Sequence, residues 1–506
     1  MTNQDLSSRA ARYLEPPAFL FPRTQDGTYR LGTCWTRAWG PVLLALCAAC
    51  GSGAEPRAAD SSGNQAGREL LPRPDVLLVA VEGLALGDLS AFGGTLATTT
   101  GFDLLSEEGT VYVDAFAPSP WAEEALAGAL TGRTAAPKDG GAWTPSLAEI
   151  LQHDGYRTAL VLGHAQHFPH LLPSGVDPLS RKEAEAIEAS APRGADSGPD
   201  DPVDAVPGFG QTLFPDEAGS VAGAKADAVV SVGLEWLDSH AEPAFLLATF
   251  GDPRPPHHLY RGLVPAAEVP YDGPMTAGLS HAELLRRRDE FTDVDRQRLA
   301  ELHATEVAMV DKAFRSLAGA LVARRKTPPV LIVIGLRPAA LGEEGRYGLV
   351  PSFTPAALQV PMLIRFPEPL GETPEAIALR SAELRGDVET PTSLIDLAPT
   401  LLDALGFEPR YDIEGRSLFP GARFKPGALL ALTKKGLRGG TLIDGNRSIS
   451  LSLEPRRVKH HVRASSAEPF QPVSVPTSQD LDLLPGLTGY LEAMGVATKA
   501  ELLGDQ

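Results

Sequence analysis

Residues 115–133, AFAPSPWAEEALAGALTGR, have the layout of a turn that presents a nucleophile at the start of a helix. Ser119 can cap the helix, Pro120 suits its first position, and an Ala/Leu-rich run follows. A hydroxyl or thiol displayed there would be placed for covalent catalysis. The place that wants a Cys, Ser or Thr holds Ala122 instead, which has no heteroatom. The nearest hydroxyls are those of Ser119 and Thr131. Glu82, at the end of one apolar run, and Arg337, just after another, are charged groups of the kind that gather at strand ends in α/β ligand sites.

These residues are carried by alternating elements. RPDVLLVAVEG (73–83) is dense in Val and Leu and ends in Gly, the pattern of a fully buried strand. An amphipathic segment around FDLLSEEG follows, then the short strand TVYVDAFA and the helix that begins near Ala122. TPSLAEILQHDGYRTALVLG (144–163) reads as a capped helix, a Gly stop and another buried strand. Residues 171–220 crowd Pro, Gly, Asp and Ser and predict a long surface excursion. A helix over 224–239 leads to the strand PAFLLATF, a helix over 296–325 carries Leu302, Val310, Phe314, Leu317 and Leu321 near one stripe, and the strand PPVLIVIG follows. The expected fold is α/β, a mostly parallel sheet with helices on both faces over 73–424, with a small β-rich subdomain over 425–506.

At 506 residues and 43% hydrophobic content the chain can bury a large core. Its 64 acidic against 45 basic residues give a formal charge of −19, which argues against a nucleic-acid partner. The cysteines are Cys34, Cys47 and Cys50, so no disulfide, Cys-ligated zinc or cysteine nucleophile can form in the body that follows. Arg37 precedes AWGPVLLALCAA, an apolar run that suits a signal-peptide core and is too short to span a bilayer. With CAAC and the polar stretch after it, residues 1–50 resemble an N-terminal extension plus a bacterial lipoprotein signal, and 51–72 a flexible tether. Cys50 is then the lipidated first residue of the mature chain, which predicts a membrane partner and an envelope location on the periplasmic or extracellular face. Cys47 stands where Leu is usual. The alternative for the run is a buried apolar N-terminal helix. Gly51 supplies no acidic retention signal.

The order of segments resembles the sulfatase family of the alkaline phosphatase superfamily. RPDVLLVAVEGLALGDLSAFGG is similar to that family's opening strand and metal-binding turn, and TVYVDAFAPSPWAEEALAGALTGR to its nucleophile helix with the terminal Thr-Gly-Arg. SLAEILQHDGYRTALVLG, PAFLLATFGDPRPP, VLIVIGLRPAALGEEGRYG, LQVPMLIRFPEP and VETPTSLIDLAPTLLDALGFEPRYDIEGRSL resemble its later landmarks in the same order. The likeness covers roughly residues 73–460.

The resemblance implies a formylglycine nucleophile made from Cys or Ser, or a Ser or Thr in related enzymes; counting back from Thr131, Gly132 and Arg133, that position is Ala122. Glu124, Ala125 and Leu126 stand where Pro-Ser-Arg usually follows. The cation of the family sits on paired Asp residues after the first strand, here Glu82 and Gly83, and on an Asp with His or Asn after a late strand, here Leu336 and Arg337 in the run Gly335 to Pro338. The Lys and His of the Gly-Lys-x-His segment map onto His164 and Gln166, with His167 one residue along. The Asp-Pro-His turn has become Asp252, Pro253 and Arg254. His164 and Arg254 keep residual anion-binding potential, whereas Glu123 and Glu124 in the first helical turn oppose an anion there.

The expectation is therefore a sulfatase-like envelope lipoprotein, a pseudoenzyme with a binding or scaffolding role, no cofactor, and an unidentified ligand or protein partner. The alternative is an active sulfuric or phosphoric ester hydrolase with a relocated site, in which Ser119 or Thr131 supplies the nucleophile and Glu82 part of a site for calcium or a similar divalent cation. One further expectation concerns the vacated position: Arg337 pairs with Glu82 there, or else Arg337 points to solvent and Glu82 caps a helix.

Overall fold

The protein is described by a computed structural model. It covers residues 73–134, 145–163, 209–213, 215, 224–325, 327–367, 385–407, 413–419, 429–433, 438–453, 456–466, 468–493, 495–498 and 501–502. Cys50 and His164, and with them Gln166 and His167, lie outside the described residues.

Val76–Gly83 (β1) is buried along its whole length, as a central parallel strand covered on both faces must be. Thr100–Glu108 (α1), Thr110–Tyr112 (β2), Ala122–Thr131 (α2), Leu147–His153 (α3) and Arg157–Leu162 (β3) follow. Then come Gln211–Leu213 (β4), Ala226–Asp238 (α4), Ala244–Thr249 (β5), His281–Arg287 (α5), Asp293–Arg324 (α6) and Val330–Pro338 (β6). Met362–Arg365 (β7), Gly386–Val388 (β8) and Leu397–Ala404 (α7) complete this part.

The main sheet has eight strands in the order β8-β2-β7-β6-β1-β5-β3-β4. Met362–Arg365 runs antiparallel to both neighbours, and every other adjacent pair is parallel. Alternation along β1 divides the core. Val76, Leu78 and Ala80 pack with Ala122, Leu126 and Leu130 of α2, Leu151 of α3 and Leu401 of α7. Leu77, Val79 and Val81 pack on the other face with Phe102 of α1, Trp236 of α4 and Val310, Phe314 and Leu317 of α6. This is the expected α/β architecture.

Three local expectations are corrected. Trp121, not Ser119, is the residue before α2, and it caps without a side-chain hydrogen bond; the Ser119 hydroxyl is already committed, donating to Glu124 and accepting from the Trp121 N–H. The stretch read as a surface excursion over 171–220 contains the edge strand Gln211–Leu213, whose three residues are too few to show a periodicity. The helix read as starting at 296 begins at Asp293, because Thr292 and Asp295 form a capping box.

Leu71–Gln506 form one compact unit. Its C-terminal part is a five-stranded antiparallel sheet of Leu429–Thr433 (β9), Gly439–Asp444 (β10), Arg447–Leu453 (β11), Arg456–Val462 (β12) and Gln471–Pro472 (β13), with Leu487 and Leu491 of Leu483–Ala493 (α8) packed on it. The Arg463 guanidinium reaches back to both carboxylate oxygens of Asp114, 2.6 Å at Oδ1, with both side chains buried. Burial pushes the Asp114 carboxyl up from its ordinary range while Arg463 pulls it down.

Candidate functional site

The C-terminal ends of β1 and β6 meet at Glu82 and Arg337. From Val76 to Val81 the register is regular, Val81 lying beside Gly335; a shift then places Arg337, not Leu336, beside Glu82. That bulge aims the cation at the carboxylate. Arg337 Nε donates to Glu82 Oε1 at 2.9 Å and Nη2 lies 2.7 Å from the same oxygen. Glu82 is 4% and Arg337 5% exposed, so the pair is desolvated. Arg337 Nη1 also donates to the Pro120 carbonyl at 3.4 Å, and the guanidinium carbon lies 5.7 Å from the Trp121 ring centroid. The second oxygen, Oε2, faces Arg254 Nε at 3.9 Å.

Arg337 thus sits against the residues immediately before Ala122. Ala122 is fully buried and shares a core cluster with Leu336. Glu123, half-buried in the same turn, has its carboxyl pushed up to about 7, chiefly by burial and further by Glu82 and Glu124, with Arg337 opposing. Gly83 is required where it stands: its φ is +95°, and an added Cβ would fall 1.9 Å from the Pro253 carbonyl oxygen. The turn holding Arg254 therefore presses directly on the end of β1.

A hard dication takes about six or more oxygen ligands. Here the strand ends contribute one carboxylate, Glu82, whose two oxygens each face a guanidinium, and Leu336 adds only apolar surface. This donor set does not fit calcium. Of the residues proposed for residual anion binding, Arg254 is 8% exposed and already beside Glu82. Thr131 cannot reach the start of α2: it lies nine residues along the helix, about 14 Å at 1.5 Å per residue, and its hydroxyl donates to the Ala127 carbonyl at 2.7 Å. Ser119 is closer but fully buried.

Two groups escaped the sequence reading. His281, at the start of α5, has its pKa lowered by burial and by Arg337 and Arg254; nothing in HAELLRR marks it. The second is a set of histidines and carboxylates around α6. His257 Nδ1 lies 2.6 Å from Glu306 Oε2, and His303 Nε2 lies 3.0 Å from Asp88 Oδ2. The His257–His258 dipeptide and the His303-x-x-Glu306 spacing on one helical face were its available signals.

The family model described as Sulfatase matches residues 74–407. Among curated proteins, none matches the chain. Among solved structures the chain is similar to a 2-O GAG sulfatase, with a TM-score of 0.57 and 13% identity over 84% of this chain and 93% of that one. It is similar to a protein of the alkaline phosphatase superfamily from Vibrio parahaemolyticus, with a TM-score of 0.54 and 16% identity over 86% and 89% of the two chains. A phosphonate monoester hydrolase of Agrobacterium radiobacter gives 0.54 and 18% over 83% and 95%. At these identities the likeness is one of fold.

Proposed function

Since the chain belongs to the sulfatase family, we propose that it is a non-catalytic member of it, an envelope lipoprotein anchored through Cys50 whose former active-site floor is filled by a guanidinium. The observation that carries this reading is Arg337 hydrogen-bonded to Glu82 directly beneath the turn that leads into Ala122. Ester cleavage needs a nucleophile, and Ala122 offers none. It also needs charge neutralisation at the reacting centre, and here the cationic groups are already spent on Glu82. Glu123 and Glu124 place carboxylates where the helix N-terminus would otherwise attract an anion. The scaffold segments remain while the reactive positions are replaced together, which favours a binding or scaffolding role.

The anchor half of the reading rests on the short apolar core, the CAAC site and the polar tether. Among the described residues no helix is long and apolar enough to cross a membrane.

The test is hydrolysis of chromogenic aryl sulfate and aryl phosphate esters by purified protein, with and without added divalent cations and after coexpression with a formylglycine-generating enzyme. Rates equal to the buffer blank are expected, and Ala122→Cys alone leaves them unchanged. The relocated site has one arrangement in its favour, the Ser119 hydroxyl donating to Glu124. A wild-type rate abolished by Ser119→Ala would establish it and overturn the non-catalytic reading.

A further inference from the structure

Three carboxylates and three imidazoles meet where the turn after β5 crosses α6. Asp252, His257 and His258 come from that turn, His303 and Glu306 from α6, and Asp88 from the turn after β1. Asp88 and His258 are half-buried and the other four are buried. Glu306 Oε2 lies 2.6 Å from His257 Nδ1, and Oε1 accepts the His258 N–H at 2.6 Å. His258 Nδ1 stands between two carboxylates, 3.5 Å from Glu306 Oε1 and 3.8 Å from Asp252 Oδ1. The Tyr260 hydroxyl donates to Asp252 Oδ2 at 2.8 Å, and the Tyr260 N–H donates to Thr305 Oγ1 on α6 at 3.3 Å. His303 Nε2 lies 3.0 Å from Asp88 Oδ2, and its ring meets that of His257 edge-on.

Buried carboxylates need a compensating charge. His258 supplies one: Asp252 and then Glu306 push it up to about 10, with burial opposing. Burial would lower His303, but Asp88, Glu306 and Glu343 outweigh it and raise it. Burial would raise Glu306, but His257 and His258 hold it below its ordinary range. Asp252 is pushed up by burial and Glu306 while His258 and Tyr260 oppose. Asp227 of α4, which acts on Tyr260, is itself 3.9 Å from Lys312, and Arg254 of the turn faces Glu82.

We propose that this cluster is a proton-operated clamp: protonated His258, held between Asp252 and Glu306, pins the turn after β5 to α6, and loss of its proton leaves the two carboxylates opposed and frees the turn. The same turn carries Arg254, 3.9 Å from Glu82, and Pro253, whose carbonyl oxygen occupies the space beside Gly83. Release therefore withdraws one of the two cations from Glu82. The clamp does not depend on whether the protein is catalytic. Its sign follows from His258, whose folded value lies above the ordinary 6.5: the clamp is complete below about pH 6.5 and is lost as pH rises through about 10.

Hydrogen exchange of the full chain, read by mass spectrometry on peptides spanning residues 250–262 and corrected for the intrinsic pH dependence of exchange, follows the two amides the clamp holds, those of His258 and Tyr260. Between about pH 6.5 and about pH 9.5 their protection should fall, by up to about tenfold per pH unit for one proton. His258→Gln should start from lower protection at pH 6.5 and lose this pH dependence, whereas His240→Gln, outside the cluster, keeps the wild-type profile. Flat wild-type protection over this range, or a fall that persists in His258→Gln, overturns the clamp. If His258→Gln does not fold, Asp252→Asn decides: removing one carboxylate from His258 should move the fall to lower pH, and an unmoved profile rejects the proposal.

Discussion

Arg337→Met removes the cation from a pair whose members are 5% and 4% exposed and bonded at 2.9 and 2.7 Å. Breaking a buried pair by deleting one partner typically costs about 3–5 kcal/mol. Arg254 stands 3.9 Å from the other Glu82 oxygen, so the carboxylate keeps one cationic neighbour and the loss falls at the low end, about 3 kcal/mol. Glu82→Gln keeps an acceptor for Arg337 but takes away the carboxylate that balances its buried charge, a similar loss. The double variant lacks both members of the pair, so neither Glu82 nor Arg337 is left facing a missing partner and the single losses overlap. A coupling of about 2 kcal/mol is expected, within the range for contacting residues and well above the roughly 0.3–0.5 kcal/mol scatter of independent sites. Urea denaturation followed by tryptophan fluorescence and circular dichroism measures it. Repeating the cycle at about 1 M salt should change the coupling little, because screening acts mainly on exposed charges. A coupling within about 0.5 kcal/mol of zero, or one that collapses in salt, refutes the buried pair.

Glu123 supplies a pH signature. Its folded pKa, about 7, lies above the ordinary 4.5, so the stability linked to its proton is present at low pH and is lost as pH rises through about 7. Glu123→Gln should therefore match wild type near pH 4.5 and be more stable at pH 8, by up to about 3 kcal/mol at about 1.4 kcal/mol per pH unit; equal stability at pH 8 contradicts this. Asp114→Asn strands buried Arg463 and should cost about 3 kcal/mol in denaturant unfolding, a loss under about 1 kcal/mol showing that the C-terminal sheet does not lean on this pair. Cys50→Ala should move the protein from the membrane fraction to the soluble fraction, and unchanged sedimentation with membranes rejects the anchor.

Much of the scaffold was legible because its signals are local. Unbroken apolar runs announced β1, β5 and β6, and the Ser146 and Glu149 capping box placed α3. Glu82 and Arg337 were also legible as neighbours, since both follow runs that must lie in one parallel sheet. The bulge that decides which of Leu336 and Arg337 meets Glu82 was not, because register is set by pairing between segments 255 positions apart. His281 and the His257–His303 cluster were missed for the same reason: the turns after β1 and β5 and the helix α6 meet only in the folded chain. Ser119 looked like a cap because the sequence does not reveal that Glu124 turns back to take its hydroxyl.

The central claim is that a guanidinium has taken the place of a cation at Glu82. Calorimetric titration of the purified protein with calcium tests it most directly, run in parallel on wild type and Glu82→Gln. No saturable heat is expected in either protein at millimolar calcium. Saturable wild-type binding that disappears in Glu82→Gln would show that the carboxylate still holds a cation and would contradict it.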